Sequence, residues 1–190
     1  MDNNTNNNNI NSNAMSGLYG TKTEQNLMDA FEGESKAYTK YKTYALKAGD
    51  EGYPVQRRLF DNTAENEMEH AELWLSYLGE VGDTADNLEY AISGEADESE
   101  NMYLQMARVA RDEGFNEIAD KFMLTASVEA NHKKEFEKSL SGMETGSYYE
   151  GDGDTVWQCL NCGYQIKGSS LPARCPLCSY PRTYFMRVSD

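Results

Sequence analysis

Residues 60–77, FDNTAENEMEHAELWLSY, decide the fold. Phe60, Thr63, Glu67, His70, Trp74 and Tyr77 recur at spacings of three and four, which places them on one face of a helix. That face is apolar except for Glu67-x-x-His70, a carboxylate and an imidazole one turn apart. Residues 115–136 repeat the device: Phe115, Ile118, Phe122, Thr125, Glu129, His132 and Phe136 share a face that Glu129-x-x-His132 interrupts. The chain has 2 histidines, and both stand in this pattern.

Two further helices flank these. Leu27, Phe31, Glu34, Tyr38, Tyr41 and Ala45 form a stripe with one carboxylate, and Glu95, Glu98, Met102, Met106 and Val109 form a stripe with two. The four helices lie between Thr21 and about Gly142, punctuated by residues 49–54 (GDEGYP), by residues 79–83 and by Gly114. Short first and last turns predict two antiparallel hairpins. Residues 79–94 join them, with TADNLEYAIS (84–93) expected as a helical crossover.

Counting from the turns gives the heights of the acids. Glu34 is 15 residues before Gly49 and Glu67 is 13 after Pro54; Glu98 is 16 before Gly114 and Glu129 is 15 after it. At about 1.5 Å of rise per residue, each pair is level to within about 2–3 Å, so all four helices can feed one site.

Five ionised carboxylates in a bundle core repel one another, and each loses several kcal/mol of hydration, so they call for cations. One Glu from each of two helices plus a Glu-x-x-His from each of the other two is the ligand set of di-iron or di-manganese carboxylate bundles, and Glu98 is one carboxylate more. Hard oxygens with two imidazoles favour iron or manganese over calcium, while zinc also suits such ligands.

All 4 cysteines fall in VWQCLNCGYQIKGSSLPARCPLCSYPRTYFMRV (156–188). Cys159/Cys162 and Cys175/Cys178 are two C-x2-C pairs separated by twelve residues, a spacing that brings four thiolates to one tetrahedral ion. Gly163 lets the backbone turn so that its amides face the sulfurs. Zinc would staple such a module and carry no electrons; iron there cycles by one electron with little change of geometry.

Composition bounds the rest. At 190 residues and 39% hydrophobic content the chain suits one ordinary domain with a small appendage. A net charge of -15 opposes nucleic-acid binding. Neither a membrane span nor a secretion signal is legible, so cytoplasmic residence is expected, where paired cysteines read as metal ligands before disulfides. Residues 142–154 (GMETGSYYEGDGD) read as a solvated linker. The asparagine-rich start is expected to be disordered, and its Ser12-Asn13-Ala14 looks like a remnant of cloning. The expected division is a tail at 1–17, a helical domain at 18–145, a linker at 146–155 and a cysteine module at 156–190.

In order, GES (33–35), ExxH (67–70), GExxE (94–98) and ExxH (129–132), followed by the four-cysteine module, resemble the rubrerythrin family over about residues 18–190. The resemblance implies a mainly α protein, a ferritin-like four-helix bundle with a small C-terminal rubredoxin-like module of short β-strands. It implies two irons bridged by Glu67 and Glu129, with Glu34 and Glu98 on one and Glu95 and His132 on the other. His70 resembles the histidine that exchanges with the Glu98-type ligand on reduction, which keeps charge balanced as two positive charges are lost. Tyr41 and Tyr103 match the family's supporting tyrosines. The asparagine-rich start and the short second-to-third connection are not features of that resemblance.

The implied activity is a non-haem di-iron peroxidase, reducing hydrogen peroxide to water in oxidative-stress defence. It would be NADH-linked through an external reductase or rubredoxin, with one iron on Cys159, Cys162, Cys175 and Cys178 passing electrons on singly. The donor module would belong to the neighbouring subunit of a head-to-tail homodimer. Two rivals use the same residues. An iron-oxidising or iron-storing ferritin-like protein has no need of a four-cysteine electron carrier, and a zinc-stapled binding protein would merely sequester metal.

Overall fold

The structure is a computed structural model that describes residues 17–188. Of the tail read as a disordered remnant at 1–17, residues 1–16 lie outside the described residues. The chain divides into two compact units, one ending at Gly82 and one beginning at Asp83.

The first unit is a helical hairpin. α1 spans Lys22–Asp50 and starts where Thr21 accepts the Glu24 N–H at 3.1 Å. The turn passes through Gly52, at φ 80°, and Pro54 opens α2, Pro54–Leu78, where a missing N–H costs nothing. Lys42 ties the helices together, reaching Asp61 at 3.2 Å and Glu65 at 3.1 Å.

The second unit begins with a capping box. Asp83 accepts the N–H groups of Ala85 and Asp86, and Asp86 returns a carboxylate to the Asp83 N–H. α3 is Thr84–Asp97, a π turn follows at Glu98–Met102, and α4 is Tyr103–Asp112. Residues 84–93 are therefore not a separate crossover. They are the first half of the third helix, and the true connection is residues 79–83, after Gly79 ends α2 at φ 72°. Gly94 alone does not break the helix, because an interior glycine costs only about 1 kcal/mol. Gly114, at φ 87°, turns the chain into α5, Asn116–Thr145.

In both units the deepest helix positions are alanines rather than the expected stripes. Ala45, Ala48, Ala64 and Ala71 are buried in the hairpin, and Ala107, Ala110, Ala119 and Ala126 in the second unit. Short side chains let neighbouring helices approach closely, so the seam runs beside the acid-bearing face, which stays half-buried within each unit.

The stretch read as a solvated linker is partly packed. α5 continues to Thr145, and Gly142 is buried because a Cβ there would lie 3.3 Å from Tyr148 Cβ. A 3-10 turn at Ser147–Tyr149 and an isolated bridge between Glu150 and Ser170 carry the chain onto the cysteine module. There β1 (Val156–Cys159) pairs antiparallel with β2 (Gln165–Lys167) and β3 (Phe185–Arg187), in the order β2-β1-β3. Trp157, Cys159, Leu171, Cys175 and Phe185 form its core, and Trp157 Nε1 donates to the Gly168 carbonyl at 3.0 Å. Among the described residues no helix is long and apolar enough to cross a membrane.

Candidate metal centres

Each helical unit gathers three ligands. In the hairpin, antiparallel pairing brings Glu34 of α1 beside Glu67 and His70 of α2, whose ligand atoms all lie within 4.8 Å of one another. His70 Nδ1 is 3.0 Å from Glu67 Oε2 and 3.9 Å from Glu34 Oε1. The second unit matches it with Glu95 of α3 and Glu129 and His132 of α5: His132 Nδ1 is 2.7 Å from Glu129 Oε2 and 3.5 Å from Glu95 Oε2.

Electrostatics mark both groups as cation-seeking. Desolvation, then the neighbouring Glu67, pushes the Glu34 carboxyl above its ordinary value, and His70 offsets this only in part. Glu98 is outside the second trio but senses it: desolvation and the charges of Glu129, Glu95 and Asp97 raise it. Tyr103 is raised by desolvation and by the charges of Glu98, Glu129 and Glu95, so its phenol keeps its proton. Tyr41 packs instead among the rings of Tyr44 and Phe60. Glu95 Oε2 is buried with only the long 3.5 Å approach of His132 Nδ1, an acceptor that a cation would satisfy better. The donor set therefore fits hard divalent or trivalent metal.

The metal-free protein should lose stability as pH rises. A carboxyl raised in the folded state favours folding while protonated, so the contributions of Glu34 and Glu98 fade as pH climbs upward from 4.5. The Glu129 hydrogen bond raises His132 likewise, and its contribution fades upward from 6.5. Unfolding temperatures of chelator-treated protein should fall across this window. Metal-loaded protein should not follow, because bound metal already replaces those protons; identical profiles would contradict the assignment.

The cysteine site is built from two copies of one loop. Cys159-x2-Cys162-Gly163-Tyr164 and Cys175-x2-Cys178-Ser179-Tyr180 share their backbone bonds: the Gly163 N–H donates to the Cys159 carbonyl at 2.8 Å and the Ser179 N–H to the Cys175 carbonyl at 2.9 Å. Likewise Cys159 and Cys175 donate to the carbonyls of Tyr164 and Tyr180, at 2.9 and 2.7 Å. Gly163 has φ 74° and Ser179 φ 62°, the latter the one positive-φ non-glycine among the described residues. Sequence reading singles out Gly163 and passes over Ser179; the C-x2-C-x-Tyr repeat was the available signal.

These turns aim N–H groups at sulfur. The Tyr180 N–H lowers the Cys178 thiol against desolvation, and with help from Asn161 and the neighbouring sulfurs it falls to about 6. The Tyr164 N–H lowers Cys162, but desolvation and three neighbouring thiols prevail and push it up to about 12. Cys159 and Cys178 sulfurs are 3.7 Å apart, as are those of Cys162 and Cys175, and none forms a disulfide. A tetrahedral ion with metal–sulfur bonds of about 2.3 Å sets its sulfurs about 3.8 Å apart, so the spacing fits iron or zinc.

Comparison with known proteins gives concordant results. A family model described as rubrerythrin matches residues 25–86 and 86–158, and one described as the rubrerythrin rubredoxin-like domain matches residues 157–186. The chain is 40% identical over 181 residues to a rubrerythrin of Porphyromonas gingivalis, covering 88% of this chain and 90% of that one. It is 38% identical over 193 residues to rubrerythrin-1 of Clostridium acetobutylicum, covering 93% and 99%. With a rubrerythrin of Nitratidesulfovibrio vulgaris it shares 34% identity over 184 residues, covering 90% and 96%.

Proposed function

This chain belongs to the rubrerythrin family, and from that membership we propose that it reduces hydrogen peroxide to water at a two-iron centre fed by a four-cysteine iron. What carries the proposal is the coexistence of two matched carboxylate–histidine groups with a sulfur group of tetrahedral spacing. A ferroxidase would use the first pair alone, and a stapled binding protein would have no use for a one-electron carrier.

In this reading Glu34, Glu67, His70, Glu95, Glu98, Glu129 and His132 would hold the metal ions of one dinuclear centre. Two ferrous ions, when bound, supply the two electrons that split the O–O bond, and two protons complete two waters. The carboxylates would neutralise the cations, and Tyr103, raised by desolvation and by the charges of Glu98, Glu129 and Glu95, keeps its proton beside them. The His70 side chain is 54% exposed, and in this reading it is the ligand called on only when charge falls. Electrons arrive from an NADH-linked reductase or a rubredoxin at the cysteine module, where Leu160 and Leu177 within the two cysteine loops and Tyr180 beside them are exposed. Transfer between subunits of a head-to-tail homodimer in the cytoplasm is part of the same reading.

Anaerobically reduced protein should be reoxidised by stoichiometric peroxide far faster than by dioxygen, with visible iron–thiolate absorption returning. Equal rates would favour the ferroxidase. His70→Ala should spare iron loading of the oxidised protein and slow peroxide turnover by about 10-fold or more, because only the reduced state calls on that ligand. Unchanged turnover in steady-state assays would rule out the exchange.

A further inference from the structure

The π turn at Glu98–Met102 falls among the carboxylates of the third helix. The Tyr103 N–H reaches back five residues to the Glu98 carbonyl, so one extra residue is held in this turn. Each residue of a helix turns the chain by about 100°, so the turn determines which way Glu95 and Glu98 face relative to everything that follows.

Ser99 is the buried polar side chain among the described residues, 8% exposed, and the turn that contains it packs against α5. The Ser99 Oγ donates to the Glu95 carbonyl at 2.6 Å and lies 3.3 Å from the Ala96 carbonyl. The Glu95 carbonyl also accepts the Glu98 N–H, so the backbone of one acid is fixed twice just before the turn widens. Outside, Glu100 meets Lys133 at 2.8 Å, but that acid is 63% exposed and such pairs hold geometry weakly.

We infer that Ser99 is a positioning residue of the carboxylate–histidine centre, its hydroxyl fixing the Glu95 backbone at the entry to the π turn that sets Glu95 and Glu98 against Glu129 and His132. The inference rests on the reading of those four residues as metal ligands. Alanine keeps the size and loses the hydrogen bond; threonine keeps the hydroxyl.

The test is anaerobic titration with ferrous iron against a competing chelator, the cysteine site filled beforehand with zinc, for the wild type, Ser99→Ala and Ser99→Thr. Thermal unfolding of each metal-free protein runs alongside. The expected result is iron affinity about 10–100-fold weaker in Ser99→Ala at an unchanged unfolding temperature, with recovery in Ser99→Thr. Equal affinity in Ser99→Ala and wild type overturns the inference and leaves the metal centre standing. Affinity that falls only in step with a lowered unfolding temperature overturns it as well. A wild type that holds no ferrous iron overturns both the centre and the inference.

Discussion

Replacing Cys175 by serine is expected to abolish catalytic peroxide turnover while sparing a single turnover of chemically reduced protein. Cys175 is 2% exposed and shares the module core with Trp157, Cys159, Leu171 and Phe185. That core is small, and residues 156–188 are fewer than the roughly 40 below which a fold needs metal or disulfides to persist. Thiolate-bound metal contributes about 10–16 kcal/mol of apparent binding energy to comparable small domains, so losing one of four ligands should unfold this one. Protease cleavage after residue 150 and loss of iron–thiolate absorption would report the collapse. The helical centre would keep its iron, and one equivalent of peroxide should still oxidise it. Steady-state turnover at the wild-type rate would mean that electrons enter elsewhere.

The second large effect is expected from Glu129→Ala. Glu129 lies 2.7 Å from His132, belongs to the second ligand trio and contributes to the raised carboxyl of Glu98. Its removal takes an oxygen ligand and frees an imidazole at once. Changes to groups that merely support a ligand cost about 10–100-fold in affinity or activity, so loss of Glu129, a ligand in the proposed centre, should exceed about 100-fold in turnover. Metal analysis should show less than full loading of the helical centre with the cysteine iron retained. Full loading and normal turnover would remove Glu129 from the centre.

Much of this was legible in the residues because chemistry and period coincide. Glu34, Glu67 and His70 stand out since a carboxylate on an apolar stripe has no cheap explanation, and counting from Gly49 and Pro54 puts them level. The cysteine pairs read directly as a metal site. The π turn was not legible: Glu98-Ser-Glu-Asn-Met102 contains no breaker, and shifting one hydrogen bond from i+4 to i+5 leaves no compositional trace. The alanine seams escaped because alanine suits exposed and buried helix positions alike, so Ala64 and Ala71 carry no periodic signal beside Trp74 and Tyr77. Ser179 escaped because a left-handed serine is uncommon, and only its place in the repeat betrays it.

The doubled loop around the sulfurs bears on the speed of electron exchange. Each loop is closed by its own backbone, through the tyrosine carbonyls and the left-handed residues Gly163 and Ser179, independently of the ion's charge. A cage fixed in this way has little freedom to swell or tighten when an electron arrives or leaves. With iron in the site, as proposed, the reorganisation energy of a hop would be small, and separation from the next centre, rather than rearrangement of the ligands, would govern its rate.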